Sequence, residues 1–454
     1  MSKLLPAKPL ALVGGPLQRP SDANRRSEAV RTLTNAVDAV TASIAVTAPP
    51  PAALHQSDPT LATALFAAWS GDPAVVVASP PGAGKTRLVV HLAEQLHRRS
   101  GLEVAVAAQT RAQALDVVNR AAAIGARVAL LGARDSARPL GLDARARYLE
   151  GAADLSRWRG VVVATTARWL WVSEQSYTAD VCLIDEAWQL TYADLGGLGP
   201  LSGQVVLVGD PGQIAPVVTG DARRWESWAA GPQRAAPDAL LAAYPDAVTR
   251  LQLDRTWRLG PQTTALIQPA FYAELPFTSA RPPRYIGLDG RVLPELSTLV
   301  VTPWAGPGDP LVAAAAADRV RELLASGVVS DAGVERRLEP AEVAVITPHV
   351  EQASAVSARL ADLPGILIGT ANQAQGSERE AVVVVHPLVG YREAPAFAVD
   401  TGRLCVALSR HRSHATVVLD TSTDAVLRRA QAESPGNTTL AVQRQVLAAL
   451  LALG

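Results

Sequence analysis

The chain is poor in cysteine, in aromatic residues and in net charge. Of its 454 residues only two are cysteines, Cys182 and Cys405, and both stand in apolar runs. They are expected buried and reduced, which excludes a disulfide-stapled scaffold. His97, His349, His411 and His414 have no metal-ligand spacing with either cysteine, which excludes zinc modules built on Cys and His pairs. Charged residues make up 19% of the chain, and 42 basic side chains balance 42 acidic ones. That balance removes any bulk attraction to a polyanion, so nucleic acid could be held only in a local basic channel. No apolar run reaches membrane-spanning length and no signal-peptide pattern is present, which predicts a cytoplasmic protein with no membrane partner. What remains is a 48% hydrophobic chain, long enough for two or three domains with sizeable cores.

The apolar run 75–78 leads into Ser79-Pro80-Pro81-Gly82-Ala83-Gly84-Lys85-Thr86, and residues 86–97 read as the helix that follows. Strand, glycine-rich loop and helix in that order form a phosphate cradle. Gly82, Ala83 and Gly84 bring backbone N–H groups around phosphate oxygens, and Lys85 adds charge at the β- and γ-phosphates. Thr86 is placed to ligate Mg²⁺, and Arg87 opens the helix at the same site. Ser79 departs from the pattern, which has Gly there. A second run, 181–184, ends in Asp185-Glu186-Ala187-Trp188-Gln189. A carboxylate at the tip of a parallel strand can hold Mg²⁺ opposite Thr86, the role given to Asp185, while Glu186 deprotonates the attacking water. A third run, 205–208, stops at Gly209-Asp210-Pro211-Gly212-Gln213 and presents Gln213 where an amide can sense the γ-phosphate. ATP and Mg²⁺ are the cofactors this set implies.

Apolar runs of four or five residues fall into two sets, 75–78, 104–108, 161–164, 181–184 and 205–208, then 299–302, 343–346, 366–368, 381–385 and 416–419. Helical stretches at 86–97, 112–123, 312–325 and 351–360 alternate with them. Continuously apolar strands alternating with helices predict an α/β fold with parallel sheets covered on both faces.

In order, the phosphate loop, Asp-Glu-Ala-x-Gln and Gly-Asp-Pro-x-Gln resemble superfamily 1 helicases, most of all the branch holding the nonsense-mediated-decay RNA helicase and its DNA-unwinding relatives. Residues 104–110 and 161–166 resemble that family's motifs contacting the nucleic-acid backbone, with Gln109 and Arg111 in place of Pro and Asn. Leu253 to Pro261 is similar to the Gln-Tyr-Arg motif, with Thr256 and Trp257 replacing Gln and Tyr and Arg258 kept. Residues 345–349 resemble the strand that opens the second lobe. Gly369 through Glu378 resembles the Thr…Gln-Gly-x-Glu motif, with Asn372 for Asp, and residues 406–410 resemble Val-Ala-Leu-Thr-Arg. The resemblance spans about residues 54–420. It implies two RecA-like lobes with nucleotide between them, ATP-driven 5′→3′ movement, and a single-stranded partner, DNA favoured over RNA. Thr110, Thr165, Thr347 and Thr370 are the backbone contacts it implies. Glu378 is assigned to the nucleotide, and Gln56 is the nearest candidate for the adenine-reading glutamine. A phosphate cradle leaves one side of the γ-phosphate open, so Arg258 and Arg410 are expected to stabilise charge there.

The domain reading is a segment 1–51 with one helix, a first lobe 52–245, a second lobe 246–425 and a helical extension 426–454. The segments 121–160 and 273–296 are too short for large accessory domains. Arg145, Arg147, Arg157 and Arg159 with Trp158 offer either a nucleic-acid surface or a solvated face. After Ser21 and Asp22, the residues Ala29, Val30, Leu33, Val37 and Val40 share a helical face, and 440–451 repeats the pattern. Either terminal helix could dock on the core or recruit a protein partner. Of the nine tryptophans, Trp169, Trp171, Trp188 and Trp257 are expected in the core; Trp158, Trp225, Trp228 and Trp304 are candidates for stacking on bases. Two rival classes stay open: a remodeller that moves on a strand without separating duplexes, and a nucleotide-gated binding scaffold.

Overall fold

The computed structural model describes residues 59–133 and 136–453. Gln56 and the apolar face at 29–40 lie outside these residues. The chain divides into two compact units. Of the described residues, the first holds 59–78, Lys85–Gly209 and Pro216–Gln252; the second holds Ser79–Gly84, Asp210–Ala215 and 253–453.

Eight strands build the first unit: β1 (Ala74–Ala78), β2 (Val104–Ala108), β3 (Val128–Leu131), β4 (Arg147–Leu149), β5 (Val161–Thr165), β6 (Val181–Asp185), β7 (Val205–Gly209) and β8 (Val248–Gln252). They form one parallel sheet in the order β4-β3-β5-β2-β6-β7-β1-β8. The central strands are valine-rich and buried along their length, because helices cover both faces. The helix Lys85–Ser100 buries Leu88, Val89, Leu92, Ala93 and Leu96 and carries His97, Arg98 and Arg99 in its last turn, where cations complement the helix dipole. With β7 between β1 and β6, the phosphate loop and the acidic pair leave strand ends two spacings apart, about 10 Å.

Five of these strands coincide with the expected apolar runs; β3, β4 and β8 lie outside them. Within the segment 121–160, β3 and β4 extend the sheet at its edge. Trp169 and Trp188 are core residues, their indole N–H groups donating to the Val106 carbonyl and to Asp238, each at 2.9 Å. Trp171 is not in the core; it is 86% exposed. Cys182 is buried and free, and burial pushes its thiol up to about 12.

The second unit begins with two short paired strands, β9 (Arg255–Thr256) and β10 (Thr278–Ser279). Next come β11 (Arg284–Leu288), β12 (Arg291–Val292), β13 (Leu296–Val301), β14 (Val328–Asp331), β15 (Val334–Arg337), β16 (Val343–Thr347), β17 (Leu367–Thr370), β18 (Arg379–Val385) and β19 (His411–Asp420). Five of them form a parallel sheet, β13-β19-β18-β16-β17. An antiparallel sheet, β12-β11-β14-β15, draws two of its strands, β11 and β12, from the segment 273–296 and does not show as continuous apolar runs. Val343, Val345, Ala381, Val383 and Val385 pack with Val312, Ala316 and Val320 of the helix Pro310–Ser326 and with Val356 of the helix Val350–Arg359. The alternate residues Ala344, Ile346, Val382 and Val384 are buried toward the opposite face. That face is left to the helix Thr401–Leu408, which packs with the helices Pro261–Phe271 and Thr438–Leu451. Of the two readings of 440–451, docking is the one realised: Leu440, Val446, Leu447 and Leu450 are all buried.

Among the described residues, no helix is long and apolar enough to cross a membrane.

Candidate nucleotide site

In the first unit, Lys85 and Thr86 begin the helix after the phosphate loop, and Asp185 ends β6. The Thr86 hydroxyl donates to Asp185 Oδ2 across 3.0 Å. Lys85 Nζ lies 3.9 Å from Glu186 Oε1, and Gln189 Nε2 donates to the other carboxylate oxygen at 3.3 Å. Glu186 holds φ 55° and ψ 45°, a left-handed conformation that costs a side-chain-bearing residue about 1–2 kcal/mol. Its own N–H donates to Asp185 Oδ1 at 3.0 Å, so the turn fixes both carboxylates relative to each other. Burial, and then the Glu186 charge, push Asp185 up to about 7, against the pull of Thr86 and Lys85. A carboxylate at a strand end joined to a threonine hydroxyl is a donor pair that would suit a divalent cation. Among the described residues no three His, Cys, Asp or Glu side chains form a metal cage. Magnesium in such sites takes one or two carboxylates and completes its shell with phosphates and water, so none is needed.

The second unit holds the loop itself. Thr256 is fully buried and donates to the Pro81 carbonyl at 2.7 Å, and the Trp257 N–H donates to the Gly82 carbonyl at 3.0 Å. A Cβ on Gly82 would lie 2.3 Å from the Arg258 Cβ, and Gly82 has φ +73°, so only glycine fits there. Ala83 is buried; Gly84 and Arg87 are exposed. Trp257, expected in the core, is 55% exposed beside this loop. Its backbone is fixed while its indole presents a flat apolar face, a feature the sequence reading missed.

Arg258 donates to the Ser409 carbonyl at 3.1 Å and pairs with Glu378, which also accepts from Arg412 Nε at 3.0 Å. Burial opposes ionisation of Glu378, but Arg258 and Arg412 outweigh it and hold the carboxyl at about 2. Arg410 is buried and donates to the Val406 carbonyl and the Ser409 hydroxyl at 3.1 and 2.9 Å. Gln213 Nε2 donates to Asp210 at 2.5 Å, and Asp210 also accepts from the Tyr272 hydroxyl at 2.7 Å. A Cβ on Gly402 would stand 2.6 Å from the Gln213 carbonyl, so the helix leading to Arg410 approaches the Gln213 turn through a glycine. Gly402 could not be singled out before the turn was placed. The second unit thus gathers Gly82, Gln213, Arg258, Glu378 and Arg410.

The four threonines lie at carboxyl ends of parallel strands. Thr165 pairs with Ala108, two residues before Thr110, and Thr347 pairs with Thr370. Three of them are helix caps. The Thr110 hydroxyl accepts from the Gln113 N–H while the Gln113 side chain accepts from the Thr110 N–H. Thr370 and Gln373 share the same reciprocal arrangement, the Thr370 N–H donating to Gln373 Oε1 at 2.9 Å. Thr165 accepts from the Arg168 N–H at 3.2 Å. Thr347 is buried and donates to the His349 carbonyl at 2.8 Å.

Family models described as AAA domain match residues 61–235 and, separately, 312–422. No curated protein matches the chain. Solved structures that align with it include arterivirus nonstructural protein 10, a helicase, in complex with DNA, at 15% identity and a TM-score of 0.44, over 79% of this chain and 63% of that one. The helicase of PRRSV aligns at 17% identity and 0.42, over 79% and 55%. A second arterivirus nonstructural protein 10 structure aligns at 16% and 0.43, over 79% and 61%. The chain spans less than two thirds of each. With a phosphate loop after β1 and two matched segments, each on a parallel sheet, the chain carries two AAA-type P-loop NTPase domains, and the expected two-lobe α/β architecture holds.

Proposed function

We propose that this protein is an ATP-driven motor on single-stranded nucleic acid, DNA before RNA, moving 5′→3′. The observation that carries the ATP part is the joining of Thr86 to Asp185 and of Lys85 to Glu186, between the start of the helix after the phosphate loop and the end of β6. In this reading Gly82, Ala83, Gly84, Lys85 and Arg87 hold the phosphates. Thr86 and Asp185 would hold Mg²⁺, which when bound neutralises charge on the phosphate oxygens. Glu186 takes the proton of the attacking water. Arg258 and Arg410 add cationic charge at the γ-phosphate, and Gln213 reports its presence. Glu378 keeps Arg258 oriented, and Trp257 offers the base a stacking face in addition to the role assigned to Gln56.

The strand part rests on the motif order and on paired threonines at sheet ends in each unit. The threonines would grip phosphates through hydroxyl and backbone N–H contacts, which carry no sequence information. A second reading, movement without duplex separation, is favoured by one observation: within 121–160, β3 and β4 belong to the edge of the parallel sheet. A strand-displacement assay run beside an ATPase assay separates the two. Hydrolysis stimulated by a single strand without displacement selects the second reading; displacement selects the first.

A further inference from the structure

At the carboxyl ends of β16, β17 and β18 the second unit opens a cavity of about 360 Å³. Its position follows from the topology. β16 and β18 are neighbours, but the chain leaving β16 enters the helix Val350–Arg359, on the face of Val345 and Val383. The chain leaving β18 enters the helix Thr401–Leu408, on the other face. Where connections part to opposite faces, a crevice stays open beyond the strand ends, and open α/β sheets bind ligands there.

Two kinds of group line this crevice. One is aromatic: the rings of His349 and Phe397 lie 4.9 Å apart, and Tyr391 is 5.9 Å from each. The Tyr391 hydroxyl and His349 Nε2, 2.6 Å apart, lock the cluster. The other is cationic. Arg403 is half-buried, donates to the Phe397 carbonyl at 3.3 Å and has no carboxylate partner among the described residues. Asp400 accepts only the backbone N–H of Arg403, at 2.8 Å, as a helix cap. Thr370 and Asn372 complete the lining. A guanidinium without counter-charge beside flat rings suits a ligand that is an anion at one end and a planar ring at the other.

We propose that this cavity takes one nucleobase of a bound single strand, stacked against His349 and Phe397, with Arg403 on the adjoining phosphate. The assignment rests on the reading of the chain as a single-strand motor, and it adds a base contact to the backbone contacts of that reading. The volume lies in the range of small-ligand pockets, roughly 300–1,000 Å³. Every base has a π-face, so the contact tolerates any sequence.

The test is equilibrium binding of the full chain to a short labelled single strand and to an equally long abasic strand, over a salt series, with free nucleoside monophosphate as competitor. The wild type should bind the base-bearing strand about tenfold more tightly than the abasic one, the gain expected of one stacked base. Phe397→Leu should remove most of that preference. Arg403→Gln should weaken both strands and reduce the salt slope by about 0.7. Equal wild-type affinity for both strands overturns the pocket without needing any variant to fold, and leaves the motor reading standing. A preference undiminished in a folded Phe397→Leu protein also overturns it, as does competition by the free monophosphate at the affinity of the strand. Binding to neither strand overturns the motor reading itself.

Discussion

The hydroxyl of Thr86 donates to Asp185 across 3.0 Å and so ties the helix after the phosphate loop to the end of β6, although 99 residues separate them. Beside this bond stand Lys85 and Glu186, and burial pushes Asp185 itself up to about 7. A cation placed beside Asp185 would favour its ionised form.

In the proposed site, Glu186 would act in chemistry and not in binding. Glu186→Gln should bind ATP with near wild-type affinity and lose roughly 10²–10⁴ in hydrolysis, the usual share of a general base. Lys85→Ala should lose nucleotide binding as well. Nucleotide titration and single-turnover hydrolysis measure the two; near-normal hydrolysis in Glu186→Gln would place the base elsewhere.

The left-handed backbone at Glu186 carries its own prediction. Glu186→Ala and Glu186→Gly both remove the carboxylate, but only glycine relieves the strain. The Gly variant should be more stable than the Ala variant by about 1 kcal/mol. Denaturant unfolding compares them, and an Ala variant of equal or greater stability would show that the turn relaxes at no cost.

Much of this was legible before folding, and the limits have physical causes. β1 and β6 are read easily because strands buried on both faces are apolar throughout. β8 hides in Val248-Thr249-Arg250-Leu251-Gln252, an edge strand whose partly exposed positions take polar residues. Thr110-x-x-Gln113 and Thr370-x-x-Gln373 carry the capping signature openly, so those threonines could have been read as helix starts as well as strand contacts. Trp171 and Trp257 adjoin buried motif strands in sequence yet point outward, which proximity along the chain cannot reveal.

His386 is fully buried, and burial lowers its pKa from 6.5 to about 4. Above pH 6.5 it is neutral in both folded and unfolded chains. Between 6.5 and 4 only the unfolded chain takes up the proton, so folding weakens as pH falls. His386→Leu should be less stable at neutral pH, where it orphans the Leu388 N–H, but should lose less on acidification, by up to about 3 kcal/mol. Parallel pH–stability curves for the two proteins would contradict this.

Thr370 has two duties in this account, cap and strand contact. Thr370→Val should lower stability by about 1 kcal/mol through the cap and strand affinity by a similar amount through one lost hydrogen bond. The ratio of strand-stimulated to basal hydrolysis should fall with it. Thr370→Ser keeps the hydroxyl and should restore both. Lost stability with unchanged strand affinity would leave Thr370 a cap alone.

The most direct measurement is the steady-state ATPase rate of the full chain, with and without single-stranded DNA or RNA, in wild type and Lys85→Ala. The account predicts hydrolysis that rises about tenfold or more on adding a strand and is absent in Lys85→Ala with or without it. Hydrolysis that no strand stimulates, or activity that survives in Lys85→Ala, would contradict it.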